Sequence, residues 1–464
     1  MRAQVTIPHM NDRHAELRSI FSAAVAAVEP RAALLRYVRR AGTRLLLDDW
    51  QHDLGADGRV VVVGAGKASA AMAQAVEQLV GDRIDHGVVV VKYGHGATLA
   101  SDATLAHGAT LAKVQLMEAG HPVPDAAGEI AARALEKALH GLTANDLVIA
   151  CWSGGASALL PAPRAGITLA DKQETTRLLL ASGGDIAALN AVRKHLSRSK
   201  GGQLAVRALP ATVWCLAISD VVGDDPATIG SGPFVADPTT FAEVDAHIQR
   251  LGLRGQLPPS VTHLIADGVA GKIAETPKPG DERLAHVRYR VIANNAEAVA
   301  AAATAAQSIG YTPIIWRGPV TGEARAAGAT FACAALHEQS SGQRVCLIAG
   351  GETTVTLGKN HGIGGRNQEF ALAAAGVLGA SPWRGGPAPV AILSGGTDGN
   401  DGPTDAAGAI ADGTTMNRAH AAGLDLEHHL SHHNAYPFFA RLGDLVHSGP
   451  TGTNVMDIQV ALVG

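Results

Sequence analysis

A glycine turn that carries a lysine is the first part of the chain that could do chemistry. The segment from Gly64 to Ser69 follows a run of β-branched residues and opens an alanine-rich stretch. A strand that turns into a helix in this way presents backbone N–H groups and a helix N-terminus to an anion. Lys67 could pair there with a phosphate or stabilise a phosphoryl group in transfer, although an exposed lysine at a helix start is the alternative. We therefore predict a catalytic Lys67, with anion contacts from Gly64, Gly66 and Ser69.

This turn differs from both common glycine loops that bind nucleotides. Ser69 stands where a dinucleotide fingerprint has its third glycine, and no glycine precedes Gly66 at the spacing of a Walker A loop. The next buried strand ends in Lys92, where an NAD site usually carries an acidic residue for the ribose. The pattern argues against NAD, although it leaves NADP open.

Three carboxylates follow another apolar run. Asp220, Asp224 and Asp225 lie between Ser219 and Pro226. Carboxylates at the end of a strand can hold Mg²⁺ or take a proton from a substrate hydroxyl, whereas an Asp-Pro pair can also simply form a turn. Asp220 is nearest to the strand and is the predicted catalytic residue, and Asp224 is a further candidate metal ligand.

The densest basic stretch runs from residue 190 to residue 202 and ends in two glycines. Its composition suits the binding of phosphate or carboxylate, and a solvated helix face is the alternative. The predicted anion contacts in this stretch are Asn190, Arg193, Lys194, Lys200 and Gly201.

Glycine pairs recur where three apolar runs end, at residues 153–155, 350–352 and 394–398. Ligands bind outside the carboxyl ends of strands in open α/β sheets, and glycines let the backbone approach an anion closely. One such pair would indicate only a tight turn, but three beside polar residues favour ligand contact. The residues predicted to bind substrate or phosphate are Ser153, Gly154, Gly155, Ser157, Gly351, Glu352, Thr353 and Asp398.

Arg366 follows Gly364 and Gly365 and precedes an alanine-rich segment. A guanidinium can clamp a phosphate or carboxylate through two parallel hydrogen bonds. Capping of a turn and pairing with Glu369 are the alternative roles. The two glycines favour contact between Arg366 and an anionic ligand.

The elements that must position these residues follow from the apolar pattern. Residues 14–47 predict helices interrupted at Pro30, and β-branched runs then alternate with helical segments, which is typical of an α/β domain with a mainly parallel sheet. A second α/β series begins near residue 289, and residues 455–463 predict an edge strand. A chain of 464 residues is long for one core, so we expect domains at 1–285 and 286–464.

Composition narrows the class of protein. The chain is 47% hydrophobic and 17% charged, with a net charge of −4 and no basic run, so we expect a globular protein that does not bind nucleic acid. The four cysteines include no C-x-x-C pair, which argues against a zinc site or a disulfide framework. Without an apolar leader or a membrane-length apolar run, a cytoplasmic location with no membrane contact is expected.

Taken in order, these segments resemble the glycerate 2-kinase family, whose second domain is named MOFRL. The resemblance runs from about residue 15 to the C-terminus. The matching segments are 64–69, 120–125, 153–157, 193–202, 219–226, 229–234, 350–354, 365–369 and 394–405.

The resemblance implies a larger Rossmann-like N-terminal domain, a smaller α/β C-terminal domain and an active site in the cleft between them. It implies transfer of the γ-phosphoryl group of ATP to the 2-hydroxyl of D-glycerate, with Mg²⁺. Lys67, Asp220 and Arg366 match active-site residues of the family. Asp220, Asp224 and Glu352 all remain candidate metal ligands.

Two other functions stay open at this point. Members of the family have also been named hydroxypyruvate reductases, which would make the protein an NAD(P)H-dependent oxidoreductase. A sensor that binds glycerate or nucleotide without turnover is the non-catalytic alternative. A homo-oligomer is compatible with the sequence, which does not specify one.

Overall fold

The structure is a computed structural model that describes residues 10–96, 111–339, 343–358, 360–381 and 386–464. The chain divides into two compact units. We call Pro30–Ala293 the parallel-sheet unit, and Asn294–Gly464 together with the described residues through Glu29 the mixed-sheet unit.

The helices and strands alternate along most of the chain. The helices are α1 (Met10–Ala27), α2 (Pro30–Tyr37), α3 (Ser69–Val80), α4 (Ala126–Ala138), α5 (Ala156–Leu159), α6 (Leu169–Ala181), α7 (Ile186–His195), α8 (Gln203–Arg207), α9 (Phe241–Arg250), α10 (Pro259–Val269), α11 (Asn295–Ser308), α12 (Ala324–Glu338), α13 (Arg366–Ala380), α14 (Thr415–Ala421), α15 (Leu426–Ser431) and α16 (Ala435–Leu442). The strands are β1 (Val38–Ala41), β2 (Arg44–Leu47), β3 (Trp50–Asp53), β4 (Val60–Ala65), β5 (Ile84–Lys92), β6 (Val114–Ala119), β7 (Leu147–Ser153), β8 (Thr212–Ile218), β9 (Val287–Ala293), β10 (Thr312–Ile315), β11 (Val320–Glu323), β12 (Val345–Thr354), β13 (Val390–Gly396), β14 (Gly408–Asp412), β15 (Leu445–Val446) and β16 (Asp457–Val463).

The parallel-sheet unit is built on six parallel strands in the order β6-β5-β4-β7-β8-β9. The inner strands β4 and β7 are buried along their whole length, which is why their sequences are continuous runs of apolar residues. The predicted α/β class and its parallel sheet are confirmed. Chain order reverses between β4 and β7, so loops leave the sheet on both sides of that point.

Strand β9 pairs with β8 in this sheet, so residues 287–293 belong to the parallel-sheet unit. The parallel-sheet unit accordingly ends at Ala293, and the N-terminal helix α1 belongs to the mixed-sheet unit. The sequence placed the boundary eight residues earlier, between 285 and 286, because the strand could be assigned to either series from its pattern alone.

The expectation of helix through residue 47 was wrong for its last ten residues. Helix α2 ends at Tyr37, and β1, β2 and β3 form a small antiparallel sheet. Leu45 and Leu47 are buried with a period of two, which is the pattern of a strand.

A helical layer completes the parallel-sheet unit. Leu179 of α6, Val192 of α7, Phe241 of α9 and Leu264 of α10 share one apolar cluster. This cluster fixes the position of α7, which carries part of the basic stretch.

The mixed-sheet unit has the strand order β10-β12-β16-β13-β14-β15, with β11 also paired to β12. Strands β10 and β11 run parallel to β12, while β16 is antiparallel to both β12 and β13. The predicted edge strand is therefore central, and its position was wrong in the sequence-based interpretation. All seven of its residues are buried because it pairs on both sides.

Helix α1 packs on the mixed-sheet unit. Arg13 donates a 2.6 Å hydrogen bond to the carbonyl of Gly464, and Tyr311 donates one of 2.7 Å to Glu16. Within the described ranges, every helix falls short of the length and apolar character that crossing a bilayer requires.

Candidate active site

Four predicted residues meet where strand order reverses in the parallel sheet. Lys67 follows β4, and its backbone N–H donates to the carbonyl of Gly154 after β7, at 3.1 Å. The N–H of Ala68 donates to the Ser153 hydroxyl at 3.0 Å. Asp220 lies two residues beyond the end of β8. The carboxyl edge at such a reversal is where open α/β sheets bind ligands.

Gly154 is the point of contact between the lysine turn and the Asp220 carboxylate. A Cβ atom built on Gly154 would lie 1.7 Å from Oδ2 of Asp220, so a larger residue there would displace the carboxylate. Gly66 is constrained as well. Its φ is +128°, and a Cβ atom built on it would lie 2.2 Å from the Ser153 hydroxyl oxygen. The glycines therefore bring Lys67 and Asp220, both half-buried, to the same turn.

His121 belongs to this group, although it was not among the predicted site residues. Its Nε2 is 3.1 Å from the position that a Cβ on Gly155 would take. Burial, the positive charges of Lys67 and Lys92, and His95 lower the pKa of His121 to about 4. The imidazole is therefore neutral at physiological pH. The sequence marked His121 only as part of the segment 120–125, which matches the family.

Two of the other residues predicted in the lysine turn have different surroundings. The Ser69 hydroxyl is buried at the start of α3, with no hydrogen-bond partner among the described residues. Gly64 lies inside β4, where a Cβ would be 2.6 Å from the carbonyl oxygen of Cys151. Sheet packing alone thus explains Gly64.

The basic stretch divides into residues bound to protein groups and residues that are available. Lys194 is buried and lies 3.3 Å from Asp237, and Lys200 donates at 2.8 Å to the carbonyl of Ser157. Arg193 is half-buried and has no hydrogen bond or ion pair with any described residue. Of the predicted cations in this stretch, Arg193 is accordingly the one available to a ligand.

Gly201 and Ser157 help to shape this region. Gly201 has φ +55°, and its N–H donates to the carbonyl of Ser231 at 3.0 Å. The hydroxyls of Ser157 and Ser231 are 3.0 Å apart. Asn190 lies one turn before Arg193 on α7 and is nearly buried.

In the mixed-sheet unit, Arg366 is held by two carboxylates. Its Nε and Nη2 donate to Asp457 at 2.6 and 2.8 Å, and its Nη1 is 3.0 Å from Glu352. Burial opposes the charge of Arg366, but hydrogen bonding to Asp457 outweighs it and raises the pKa of the guanidinium. The alternative pairing with Glu369 does not occur, because Glu369 binds His433 at 2.8 Å.

Asp457 was not predicted, and the sheet register explains its position. It is the first residue of β16 and lies opposite Gly351 of β12 and Gly396 of β13. The two predicted glycine pairs of this unit lie within their strands and not in turns beyond them. The pairs therefore flank the carboxylate that holds Arg366.

Asp401 holds the N-terminus of α13. Its carboxylate accepts from the backbone N–H groups of Asn367 and Gln368 at 3.0 and 2.8 Å. Gly365 must be a glycine, because a Cβ there would lie 2.3 Å from the Asp401 carboxyl carbon. This contact fixes the residue that precedes Arg366.

A cavity of about 460 Å³ opens beside Arg366 within the mixed-sheet unit. Glu352, Thr353, Glu369 and His433 are among the residues that line it. Two other predicted residues have structural contacts in this unit: a Cβ on Gly351 would lie 2.2 Å from the carbonyl oxygen of Val320, and Asp398 accepts from the N–H of Asn400 at 3.1 Å.

No group of three histidines, cysteines or acidic residues is close enough to hold a metal ion within the part of the chain that the structure describes. Asp220 and Asp224 lie near one another in sequence, and Glu352 is bound to Arg366. A metal held by protein alone is not favoured by this arrangement.

Comparison with known proteins gives a consistent result. A family model described as a domain of unknown function (DUF4147) matches residues 16–266, and the MOFRL family matches residues 345–457. A glycerate 2-kinase of Pyrococcus horikoshii is 38% identical over 95% of this chain and 95% of its own length. A protein of Agrobacterium vitis, provisionally named a hydroxypyruvate reductase, is 42% identical over 97% of this chain and 94% of its own.

A solved structure agrees with the sequence comparisons. The crystal structure of a glycerate kinase from Thermotoga maritima superposes with a TM-score of 0.82 at 34% identity, covering 98% of this chain and 100% of that one. The resemblance inferred from the ordered segments is confirmed. The chain belongs to the glycerate 2-kinase family.

Proposed function

We propose that the protein is an ATP-dependent glycerate 2-kinase, which phosphorylates the 2-hydroxyl of D-glycerate to give 2-phosphoglycerate and ADP. The observation that carries this proposal is the convergence of Lys67 and Asp220 on Gly154 at the reversal of strand order. Relatives named glycerate kinases match the chain over nearly its whole length.

Phosphoryl transfer needs positioned charge more than covalent chemistry. Lys67 would neutralise the charge that develops on the transferring group. Asp220 would orient the acceptor hydroxyl or take its proton, and the adjacent neutral His121 would offer a hydrogen bond without adding charge. Arg366, held in one orientation by Asp457, would offer its remaining N–H groups and its positive charge to a phosphate. We propose that it serves the same reaction, as the family resemblance implies.

The nucleotide and the acid need anion sites of different kinds. We propose that the parallel-sheet unit is Rossmann-like, since its order of strands is that of the doubly wound dinucleotide-binding fold. The N-terminus of α3, beside the turn at Ser153, would face phosphate oxygens. In the mixed-sheet unit, Thr353 and Glu352 would lie along the ligand that Arg366 binds.

Magnesium fits this arrangement as part of a nucleotide complex. Mg²⁺ is usually bound by one or two carboxylates together with substrate phosphates, so a protein cage of three ligands is not required. Asp220 and Asp224, which follow the carboxyl end of β8, would be the carboxylates that hold it. When bound, the ion would neutralise phosphate charge.

The reductase alternative rests on the name given to the Agrobacterium vitis protein. Lys92 ends β5, next to β4 in the sheet, which is where an NAD site would place its acidic residue. This cation favours the kinase.

The test is a product assay on the purified protein. One reaction contains D-glycerate, ATP and Mg²⁺, and the other contains hydroxypyruvate with NADH or NADPH. We expect ADP and 2-phosphoglycerate from the first, and we expect Lys67→Ala to lower kcat by about 10³-fold, as loss of a group that stabilises transition-state charge does. Lys137→Ala changes an exposed lysine of α4 and should have no effect. Oxidation of NAD(P)H without formation of ADP would establish the reductase instead.

A further inference from the structure

Two buried lysines bind the same short loop of the parallel-sheet unit. Lys172 of α6 donates a hydrogen bond to the carbonyl of Pro161, and Lys200 donates to the carbonyls of Ser157 and Leu160 at 2.8 and 3.3 Å. The residues are only 7% and 3% exposed. The loop at 157–161 therefore brings together two ammonium groups that water barely reaches.

Arg193 of α7 adds a third cation to this cluster. Its charge acts on both ammonium groups and, together with burial, disfavours their protonation. The guanidinium is half-buried and has no hydrogen bond or ion pair with any residue of the described ranges. Nearby acidic groups are engaged elsewhere: Asp237 pairs with Lys194, and Glu136 pairs with Arg198.

Such an excess of positive charge is costly in the absence of an anion. Buried charges are usually paired, and a buried cation without a partner tends to lose its proton. Of the surrounding charged groups, Arg193 and Arg198 oppose the charge of Lys172, and Glu129 alone favours it. A ligand with a negative charge would restore the balance.

The groups that can reach a ligand indicate a carboxylate. The lysine ammonium groups already bind carbonyls, so a ligand would meet the planar guanidinium of Arg193 and the amide of Asn190, one helical turn earlier. A planar fork with one amide matches a carboxylate in shape and in charge. The glycine turns, which suit phosphate, lie instead at the ends of β4 and β7.

We propose that Arg193 and Asn190 bind the carboxylate of the hydroxy-acid substrate, and that Lys172 and Lys200 position this subsite from behind by supplying positive charge. The identity of the acid rests on the proposed function. Lys172 was not predicted from the sequence. It is a positioning residue, because it acts on the ligand through the electric field of its charge and not through contact.

The first test compares Michaelis constants for the two substrates. Arg193→Gln should raise the KM for D-glycerate by about 10- to 100-fold, which is the effect expected from loss of a pair of charge-assisted hydrogen bonds. The KM for ATP should change by less than about 2-fold. Arg193→Lys should raise the KM for D-glycerate less, because it keeps the charge but loses the fork. Arg177→Gln, an exposed arginine on α6 paired with Glu174, is the matched control and should change neither constant.

The second test uses the pH dependence of binding. The pKa of Lys172 in the empty site is lowered to about 7, so a bound carboxylate should raise it and draw in a proton. Calorimetric titration with D-glycerate alone should show affinity falling as pH rises from 7 to 9. Lys172→Met should weaken binding at pH 7 and make it less dependent on pH. Glycerol, which has no carboxylate, should bind wild type and Arg193→Gln equally.

The outcomes separate the two proposals. A kinase in which Arg193→Gln raises the KM for ATP and leaves that for D-glycerate unchanged overturns the subsite and keeps the function. Binding of D-glycerate that depends on Arg193, without any phosphorylation, would support the proposed subsite and contradict the proposed function. Failure of wild type to bind D-glycerate removes both. Melting temperatures of the two Arg193 variants show whether they fold. If Arg193→Gln does not fold, the KM values of Arg193→Lys test the subsite.

Discussion

Arg366 and Asp457 form a two-pronged ion pair, with Nε and Nη2 of the arginine 2.6 and 2.8 Å from the two carboxylate oxygens. The arginine begins α13 and the aspartate begins β16, 91 residues later. Asp457 is completely buried between two glycine-bearing strands, while Arg366 is about a third exposed. The carboxylate thus fixes a guanidinium that can still reach a ligand.

Loss of this carboxylate should cost both stability and activity. Asp457→Asn leaves a guanidinium without its buried partner and should lower the free energy of unfolding by about 3 kcal/mol. It should also lower kcat, because Arg366 is no longer held in one orientation. Urea denaturation and steady-state kinetics measure the two effects.

Glu352→Gln provides the control for Asp457, because it changes the other partner of the same arginine. Glu352 is 43% exposed, so its loss should cost less than about 1 kcal/mol. Equal destabilisation by the two variants would contradict the role assigned to the buried pair.

A methyl group at Gly154 should impair catalysis without unfolding the protein. Gly154→Ala places a Cβ 1.7 Å from Oδ2 of Asp220, so the half-buried carboxylate must move. We expect a kcat lowered by about 10- to 100-fold, as small misplacements of a catalytic group produce. Gly358→Ala is the control, since its methyl group meets no atom within 4 Å. Wild-type kcat in Gly154→Ala would show that the position of Asp220 is unimportant.

Lys172 should make stability depend on pH in alkaline solution. Burial, followed by the charges of Arg193 and Arg198, lowers its pKa from 10.5 to about 7 in the folded protein. Between these values the unfolded chain holds a proton that the folded protein lacks, so this group's contribution to stability rises with pH. Below pH 7 the buried ammonium exerts its full penalty.

Lys172→Met removes that penalty. The variant should gain stability over wild type below pH 7, and the gain should shrink by about 3 kcal/mol by pH 10. Denaturation curves at several pH values without ligand measure it. A difference between the two proteins that stays constant from pH 6 to pH 10 would contradict the lowered pKa.

Helix α1 should contribute strongly to the stability of the mixed-sheet unit. Phe21 is 2% exposed, and its ring lies 2.9 Å from where a Cβ on Gly395 of β13 would be. Phe21→Ala should therefore lower the free energy of unfolding by about 3–5 kcal/mol. Leu35→Ala, at a side chain that is 39% exposed, should cost less than about 1 kcal/mol. Equal effects in thermal or urea unfolding would argue against docking of α1 on this sheet.

Local patterns were enough to predict the α/β class, the parallel sheet and the family. Continuous apolar runs such as β4 and β7 occur because both faces of a parallel strand are buried. The burial of such strands can therefore be predicted from the sequence itself. Glycine beside lysine in the turn before α3 is likewise a local signal, because a backbone that approaches an anion needs glycine close at hand.

Tertiary structure alone decided which side chains partner one another. Asp457 reaches Arg366 only because β16 lies between β12 and β13, and a strand that follows a long loop carries no mark of its place in a sheet. Lys172 of α6 and Lys200 of the turn between α7 and α8 reach one loop, and His121 reaches Gly155 from a segment in which no site residue was predicted. Contacts between residues so far apart in sequence depend on sheet register and packing, which the spacing of residues along the chain does not reveal.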